Sequence, residues 1–528
     1  MSINLVLGTM TVRHQSLRAG VWLWILATAV APFFKAPVTP VRFPADRATG
    51  INPDTHLVLT FPSVPTLGTS GTIRIYDAAD DRLVDTLDLS IPAGPATGPG
   101  ALAGRSPYSP VPYEYARTRR PTNADTVPGT PSGVAERTPP THQLTIIGGF
   151  TDAFHFYPAI VHDRTVTIYP HHDLLTYGRS YYVQIDPGVL TLADGSFAGI
   201  TGKRGWTFST KARGPAAGAA RLVVAADGSG DFNTVQGAFD FVPDMSPRRV
   251  TIFVKNGQYE EIVYFRNKSN VTLAGEDRDK VEIRYANNEI FNPHPPNVAT
   301  NEWPGTFPSR RAVFSADHAT AIHIVNLTIR NLSRGQAEGL LITGERNIVS
   351  RASIYGSGDA LQVNGPAYIS ESLIVGDGDT ILGRGPAFFD RCELQSRGPF
   401  TWTRNTVANH GNVFLNCRFK GIGDAPTVIA RAPTNGGRSY PNAEVVLLNC
   451  ALDGVAPAGW GDVGGDTANV HYWEYNSTNL RDGAPADTSA RHPVSKRLTM
   501  EKDAGTIANY SNPAWVLGGW RPEAVVVR

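Results

Sequence analysis

Cysteine is scarce in this sequence, with three residues among 528. An odd number of thiols cannot pair completely, and nothing in the spacing suggests a disulfide framework. The three residues are Cys392, Cys417 and Cys450, and each stands in a strand-like segment. Thiols in such segments are usually buried and unreactive. We therefore assign them no redox or catalytic role.

Charge of one sign is also not in excess. The chain has 48 Lys and Arg against 47 Asp and Glu, a formal net charge of +1 and a pI near 7.8. A nucleic-acid or membrane-surface partner would require a basic excess, so neither is expected. The 13 histidines form no Ser–His–Asp arrangement and no group with metal-ligand spacing.

Long apolar runs are rare as well. One run covers 19–34 and follows the basic residues Arg13 and Arg18, and no later segment is long enough to span a bilayer. A short apolar core behind positive charge indicates a secretion signal. We predict a signal peptide or an uncleaved signal anchor over 1–36. The protein is then expected to be secreted, periplasmic or on the cell surface.

Glycine and proline are plentiful, at 52 and 40 residues, which favours an all-β fold with many turns. Residues 40–212 contain segments in which apolar and polar residues alternate, typical of antiparallel strands with one buried face. We predict a β-sandwich there, with a Pro/Gly-rich insertion near 91–142 and a small-residue linker over 213–220. The pattern NPDTHLVLTF followed by WTFST resembles bacterial Ig-like domains.

From residue 221 onward the chain shows an internal repeat. Strand-like segments end on apolar residues separated by steps of 25, 20, 20, 25 and 33, and each has a small or apolar residue two positions earlier. The ending residues are Ile329, Ile354, Ile374, Leu394, Phe419 and Leu452. Such a spacing is typical of a solenoid in which every coil buries the same positions. The leucine-rich-repeat pattern is missing, so we predict a parallel β-helix over 221–528, with the cysteines in an internal ladder.

This repeat brings polar residues together. Asp359 and Asp379 each lie five residues beyond a repeat isoleucine, and Gln336 lies 23 residues before Asp359. Residues one coil apart are separated by about 4.8 Å. Two carboxylates at that distance do not ionise independently, which separates a nucleophile from an acid/base. Arg431, about two coils further along, is placed to hold one carboxylate charged.

Six motifs in this half of the chain resemble the pectin methylesterase family. They are, in order, DGSGDFNTVQGAFDFVP (227–243), NGQYEE (256–261), QAEGL (336–340), GDALQV (358–363), GDGDTILGRGPAFFDRCEL (376–394) and IARAP (429–433). Members of the family are carbohydrate esterases with a right-handed parallel β-helix. Because the six motifs occur in the same order as in the family, together they are more specific than any one of them alone.

The resemblance implies a reaction and a role for each residue. Asp379 attacks a galacturonate methyl ester, Asp359 acts as acid and then base, Gln336 stabilises the oxyanion, and Arg431 orients Asp379. The substrate is pectin (homogalacturonan), and the products are pectate and methanol. Neither a metal nor an organic cofactor is implied, and a monomer is expected.

Three positions depart from the family pattern. Gly358 stands where a second oxyanion glutamine is usual, Thr380 replaces an aromatic residue, and Pro433 replaces a tryptophan that flanks the sugar. We consider Trp402 and Trp460 as replacement stacking faces. Arginines suited to pectate carboxylates are Arg384, Arg397 and Arg404.

Other interpretations stay open at this point. The two aspartates follow glycines and are also suited to capping turns, and Asp377 with Asp379 forms an Asp-Gly-Asp run of a kind that binds calcium on other β-helices. A calcium-dependent lyase, a pectin hydrolase and an esterase or thioesterase for another acyl group are alternative enzymes. A non-catalytic polysaccharide-binding β-helix is the alternative from a different class, and Gly358 is the feature that favours it.

Overall fold

The computed structural model describes residues 38–94, 143–148, 153–292, 310–435, 438–463 and 465–523. The predicted signal segment (1–36) and all but the beginning of the predicted insertion (91–142) lie outside these residues. In the described part of the chain, no helix combines the length and apolar character needed to cross a membrane.

The first part of the described chain is built from short, mostly antiparallel strands. Their bounds are β1 (Val41–Phe43), β2 (Ala48–Ile51), β3 (Leu57–Thr60), β4 (Thr66–Leu67), β5 (Thr72–Asp77), β6 (Leu83–Asp88), β7 (Leu144–Ile146), β8 (Ala153–His155), β9 (Ala159–His162), β10 (Thr165–Ile168), β11 (Ser180–Ile185), β12 (Leu190–Thr191) and β13 (Thr207–Thr210).

Two of the sheets formed by these strands share one core. One sheet has the order β1-β3-β10-β9 and the other β2-β13-β11-β5-β6. Burial alternates along β3, β5 and β10, so one face of each strand is apolar and covered. Side chains from both sheets meet in one cluster, among them Leu59, Ile75, Val166 and Val183. Two sheets packed on a common core form a β-sandwich; its assignment as Ig-like stays a prediction.

The second part is a stack of short parallel strands. Their bounds are β14 (Arg221–Val224), β15 (Val250–Val254), β16 (Gly257–Glu260), β17 (Val263–Arg266), β18 (Val271–Gly275), β19 (Val281–Tyr285), β20 (Phe314–Thr320), β21 (His323–Val325), β22 (Thr328–Asn331), β23 (Leu340–Glu345), β24 (Asn347–Ser350), β25 (Ser353–Tyr355), β26 (Leu361–Asn364), β27 (Ala367–Ser370), β28 (Leu373–Gly376), β29 (Ile381–Gly383), β30 (Ala387–Asp390), β31 (Glu393–Ser396), β32 (Thr401–Thr403), β33 (Asn412–Leu415), β34 (Arg418–Gly421), β35 (Thr434–Asn435), β36 (Arg438–Ser439), β37 (Glu444–Leu448), β38 (Ala451–Asp453), β39 (His471–Tyr475), β40 (Thr478–Asn479) and β41 (Lys496–Arg497).

Three long sheets run along this stack, with eleven, nine and six strands. The coils from β15 to β32 contribute one strand to each sheet, and the pairings within the three sheets are parallel. In the nine-stranded sheet Ile354 pairs with Ile374, and Ile374 pairs with Leu394. The apolar residues that end each repeat, Ile354, Ile374, Leu394 and their equivalents, therefore form one inward-facing row of this sheet, the inside row. The predicted all-β parallel β-helix is confirmed.

Each coil turns a corner through a residue in the left-handed backbone region. Arg351, Glu371, Arg391 and Asn416 have φ between 50° and 56°, and each lies three residues before an apolar residue of the inside row. Such a φ is rare outside glycine and asparagine, so neighbouring coils must constrain these residues to adopt it. The recurrence keeps consecutive coils in the same register.

The three cysteines stack inside the β-helix, as predicted. Cys392, Cys417 and Cys450 are buried and unpaired by disulfides, and the Cys392 backbone N–H donates to the Cys417 sulfur at 3.4 Å. Burial, followed by the neighbouring thiols, raises the pKa of Cys417. These thiols are therefore core groups and not nucleophiles.

Three helices cover parts of the β-helix. They are α1 (Val235–Phe241), α2 (Met500–Tyr510) and α3 (Pro513–Val516). In α1, Phe239 stacks on Phe265 with ring centroids 4.0 Å apart. Ile507 of α2 and Val516 of α3 join Phe388 and Val413 in a separate cluster on the outside of the eleven-stranded sheet.

Polar contacts join the sandwich to the first coils of the β-helix. The Asp54 carboxylate accepts hydrogen bonds from the backbone N–H groups of Asn233 and Thr234 at 2.9 and 2.8 Å, directly before α1. His172 lies 2.6 Å from Asp240 of α1. Such partners satisfy groups that helix formation leaves unpaired.

Replacing Asp54 by alanine tests how much this contact stabilises the protein. Asp54 also accepts a bond from the Thr234 hydroxyl at 2.8 Å, so the substitution leaves several donors without their acceptor. We expect Asp54→Ala to lower the free energy of unfolding by about 1–3 kcal/mol, measured by urea titration. Asp80→Ala, at an exposed turn of the sandwich, serves as the control and should change it by less than about 0.5 kcal/mol. Equal midpoints for both variants would contradict the expectation.

Candidate active site

A cleft of about 740 Å³ lies beside the six-stranded sheet of the β-helix. This volume is in the range of ordinary ligand sites. The cleft brings together six residues predicted from the sequence, namely Gln336, Asp359, Asp379, Trp402, Arg404 and Arg431.

The two aspartates hold equivalent places on successive coils. Leu361 pairs with Ile381 in the six-stranded sheet, and Asp359 and Asp379 each lie two residues before one of these partners. Neighbouring strands of a sheet are about 4.8 Å apart. The register therefore stacks the two aspartates as the repeat predicted.

Asp379 is held by an arginine from further along the β-helix. Nη1 of Arg431 lies 2.6 Å from Oδ2 of Asp379. Arg431 reaches this place through two successive pairings. Ile381, on the coil of Asp379, pairs with Thr401, and Thr401 pairs with Ala430, so Arg431 lies two coils above Asp379. Burial raises the pKa of the Asp379 carboxyl, while Arg431 and then Arg404 lower it. The ion pair favours the ionised form, which is the form a nucleophile needs.

The side chain of Asp359 is more deeply buried than that of Asp379. Its relative exposure is 6%, and its Oδ2 accepts a hydrogen bond from Nη2 of Arg311 at 2.9 Å. The pKa of Asp359 is raised to about 7, mainly by burial; Arg311 lowers it, and the charges of Glu338 and Asp379 add to the rise. A carboxyl with a pKa near neutrality can both give and accept a proton during turnover.

The two environments therefore separate the two carboxyls. Asp379 is paired with Arg431 at the cleft, whereas Asp359, although bonded to Arg311, is more deeply buried and has a pKa of about 7. This is the arrangement in which one carboxylate attacks and its neighbour shuttles a proton.

Gly358 is constrained by its backbone. Its φ is +67°, and a Cβ at this position would lie 2.7 Å from the carbonyl oxygen of Gly335. Its N–H donates to Oδ1 of Asp377, whose Oδ2 accepts from the Ser357 hydroxyl at 2.8 Å. The Gly358 N–H therefore points to Asp377, so it does not supply the missing oxyanion donor. Asp377 has a structural role here, and the described residues contain no group of three or more acidic, histidine or cysteine side chains arranged to hold a metal ion.

Gln336 lies in the cleft with an exposed side chain, but the strand register places another residue below Asp359. Leu340 pairs with Leu361, so the residue in line with Asp359 on the preceding coil is Glu338. The sequence reasoning missed Glu338 and its partner Arg311. The spacing of 21 residues between Glu338 and Asp359 matched the coil length and was the signal available.

Trp402 lines the cleft mainly as a support for two arginines. Its ring lies 4.1 Å from the guanidinium carbon of Arg431 and 4.5 Å from that of Arg404, and its exposure is only 6%. Cation–π contacts of this kind fix the positions of the two charges. The prediction that Trp402 supplies a sugar-stacking face is not supported by this packing. Arg384 donates to the backbone oxygen of Arg404 at 3.3 Å.

The prediction that Trp460 contacts substrate is wrong. Trp460 is 1% exposed and stacks on Tyr472 with ring centroids 4.9 Å apart. The Tyr472 hydroxyl donates to the backbone oxygen of Arg431 at 2.9 Å. Trp460 therefore belongs to the core that supports Arg431. Arg334, which the sequence reasoning did not single out, is an exposed arginine in the cleft.

Alanine substitutions at Gly358 and Gly378, which hold equivalent places on successive coils, test the backbone strain at Gly358. We expect Gly358→Ala to cost roughly 1–2 kcal/mol for the left-handed backbone alone, with a further loss from the clash with Gly335. Gly378→Ala is the matched control, because no atom lies within 4 Å of a Cβ built there. Thermal unfolding of both variants is the measurement. A Gly358→Ala protein as stable as Gly378→Ala would refute the constraint.

Comparison with known proteins places the second half of the chain. The family model described as Pectinesterase matches residues 221–514. Pectinesterase/pectinesterase inhibitor U1 of Solanum lycopersicum is 29% identical over 313 residues, which cover 56% of this chain and 51% of that protein. Probable pectinesterase/pectinesterase inhibitor 42 of Arabidopsis thaliana is 30% identical over 290 residues, covering 52% of each. The chain thus spans about half the length of the curated relatives it matches.

The chain is also similar to solved structures. Pectin methylesterase from carrot has a TM-score of 0.47 and 23% identity, covering 58% of this chain and 95% of that structure. Pectin methylesterase PemA from Erwinia chrysanthemi has a TM-score of 0.44 and 22% identity, with 58% and 99% covered. Since the family model accounts for more than half of the residues, this chain belongs to the pectinesterase family.

Proposed function

We propose that this protein hydrolyses methyl esters of pectin to pectate and methanol. The observation that carries the proposal is the stacked pair of aspartates, one bound to Arg431 and the other to Arg311, in the cleft of a pectinesterase-family β-helix. The reaction requires one carboxylate that attacks and one carboxyl that holds a proton. The two environments match these two tasks.

In the first half-reaction, a carboxylate oxygen of Asp379 attacks the ester carbonyl carbon. A tetrahedral oxyanion forms, and Gln336, whose exposed side chain lines the cleft, donates to it. The C–O bond to the methoxy group then breaks. Asp359 gives its proton to the departing oxygen, so that methanol leaves and an acyl-enzyme anhydride remains.

In the second half-reaction, Asp359 is ionised and acts as a base. It removes a proton from a water molecule, whose oxygen attacks the acyl carbon of the substrate. The bond to Asp379 breaks, which returns Asp379 as a carboxylate and Asp359 as an acid. The product is a galacturonate carboxyl group, and no cofactor takes part in these steps.

The charges around the cleft suit a polyanionic substrate. Arg311, Arg334, Arg404 and Arg431 all line it. Three of these contact a carboxylate or Trp402 of the protein, whereas Arg334 is exposed. We therefore infer that Arg334 meets a free carboxylate of a neighbouring galacturonate. Recognition of homogalacturonan then rests on charge more than on aromatic stacking.

We also infer that the protein is exported, because pectin is an extracellular polymer and the N-terminal apolar run resembles a secretion signal. The role of the N-terminal sandwich is that of a module fixed to the β-helix by hydrogen bonds at Asp54. A monomer satisfies the proposed reaction, since all four proposed catalytic groups come from one chain.

Methanol release from highly methylated pectin tests the proposed activity. We expect release by the wild type, loss to background in Asp379→Ala, and a fall of about 10²–10⁴ in Asp359→Ala. Circular dichroism checks that each variant folds, and Asp424→Ala, at an exposed residue, is the control. Wild-type activity in both site variants would contradict the assignment.

The products separate this activity from its alternatives. Unsaturated products that absorb in the ultraviolet would indicate a lyase, and new reducing ends would indicate a hydrolase. Pectin binding without methanol release would indicate a non-catalytic protein. Methanol as the sole product is the expected outcome.

The acid limb of the pH–rate profile tests the role of Arg431. Removing this positive charge raises the pKa of Asp379 further, by about one unit or more, so the nucleophile is protonated over a wider acidic range. We expect the limb of Arg431→Ala to move upward by about one pH unit, with about tenfold less activity on the acid side. Arg397→Ala, at an exposed arginine outside the cleft lining, should leave the limb in place. An unmoved limb in Arg431→Ala would show that Arg431 does not tune Asp379.

A further inference from the structure

Glu338 extends the row of carboxyl groups by one coil. The pairing of Leu340 with Leu361 puts Glu338 at the position that Asp359 holds on the next coil. Its side chain is fully buried, with an exposure of 0%. A buried carboxyl is costly unless it is paired, and the partner of Glu338 is an arginine that also reaches the cleft.

Arg311 bridges Glu338 and Asp359. Its Nε lies 2.6 and 2.8 Å from the two carboxylate oxygens of Glu338, and its Nη2 donates to Asp359 at 2.9 Å. Burial raises the pKa of Glu338, and Arg311 opposes this. Both carboxylate oxygens of Glu338 face the single Nε–H of Arg311, so the guanidinium charge favours the ionised form of Glu338.

The other charged groups around Asp359 are few. Asp379 and Arg404 act on it from the following coils, and Glu289 lies 3.6 Å from Nη1 of Arg311. Burial alone would lower the pKa of Arg311, but Glu338, Asp359 and Glu289 raise it above its ordinary value. Arg311 is therefore a permanent cation whose charge Glu338 balances most closely.

We propose that Glu338 is a positioning residue for the proposed esterase reaction: it binds Nε of Arg311 and neutralises the guanidinium, so that Asp359 keeps its proton. The inference rests on the proposed function and deepens it. An unbalanced Arg311 would stabilise the ionised form of Asp359, so that a smaller fraction of Asp359 would carry a proton for the departing methanol. With Glu338 present, Arg311 orients Asp359 through one hydrogen bond. The negative charge of Glu338 offsets that of Arg311, so the hydrogen bond does little to remove the proton from Asp359.

The alkaline limb of the pH–rate profile of methanol release tests this role. In the wild type the rate should fall as pH rises through about 7, where Asp359 loses its proton. In Glu338→Gln the side chain keeps its size but loses its charge, so the limb should move down by about one pH unit or more. This shift corresponds to about fivefold less activity at pH 7 and about tenfold less at higher pH.

Two further variants separate this role from simple stabilisation. Asp317→Asn removes one partner of another buried ion pair, that of Arg266 with Asp317 on β20, and should lower stability without moving the limb. The double variant Arg311→Met/Glu338→Met removes both charges, and its limb should return to within about half a unit of the wild type while kcat falls. The proposal is overturned if the limb of Glu338→Gln coincides with that of the wild type, or if Asp317→Asn shifts the limb equally.

The infrared band of the Asp359 carboxyl makes the test independent of turnover. Difference spectra between each protein and its Asp359→Asn counterpart report the titration of Asp359 directly. A wild type that releases no methanol would refute the proposed function. The proposal for Glu338 would still be supported by a lower Asp359 pKa in Glu338→Gln, and an unchanged Asp359 pKa would overturn it.

Discussion

The parallel register of the β-helix coils is the constraint on which the site depends. A coil of about twenty residues returns the chain to the same sheet, one strand spacing further along the axis. Pairing of Leu340, Leu361 and Ile381 therefore stacks the residues two positions before each of them. Three carboxyl groups occupy these positions, and no flexible loop is needed to bring them together.

Such stacking creates an electrostatic problem that arginines from other coils resolve. Burial raises the pKa of both Asp359 and Asp379, because a low-dielectric environment disfavours charge. Arg431 approaches from two coils above and binds Asp379, while Arg311 approaches from two coils below and binds Asp359. Trp402 holds Arg431 at the cleft, and Tyr472 and Trp460 support its backbone from the core. The two aspartates thus differ in their environment because Arg311 is shared between Asp359 and Glu338, whereas Arg431 binds Asp379.

Much of this arrangement was predictable from sequence because a solenoid converts spacing into distance. The inside row, the buried cysteines and the equivalence of Asp359 and Asp379 all follow from recurrence of residues, and the structure contains each of them. Glu338 was missed because Gln336 matched a family motif, although the spacing of 21 residues favoured Glu338. Trp460 was misplaced because sequence does not tell whether a tryptophan beside a turn faces the cleft or the core. The roles of Arg311 and Trp402 depend on side-chain directions that no repeat encodes.

The most direct test of the account is to identify the residue that carries the acyl group. A methylated oligogalacturonide is mixed with the enzyme, quenched in hydroxylamine during turnover, and the peptides are analysed by mass spectrometry. Where hydroxylamine attacks the enzyme carbonyl of the anhydride, it leaves a hydroxamate on the nucleophile and releases the galacturonate carboxylate. The account predicts that this label is found on Asp379 and is lost in Asp379→Asn. A label on Asp359 or Asp377 instead would contradict it.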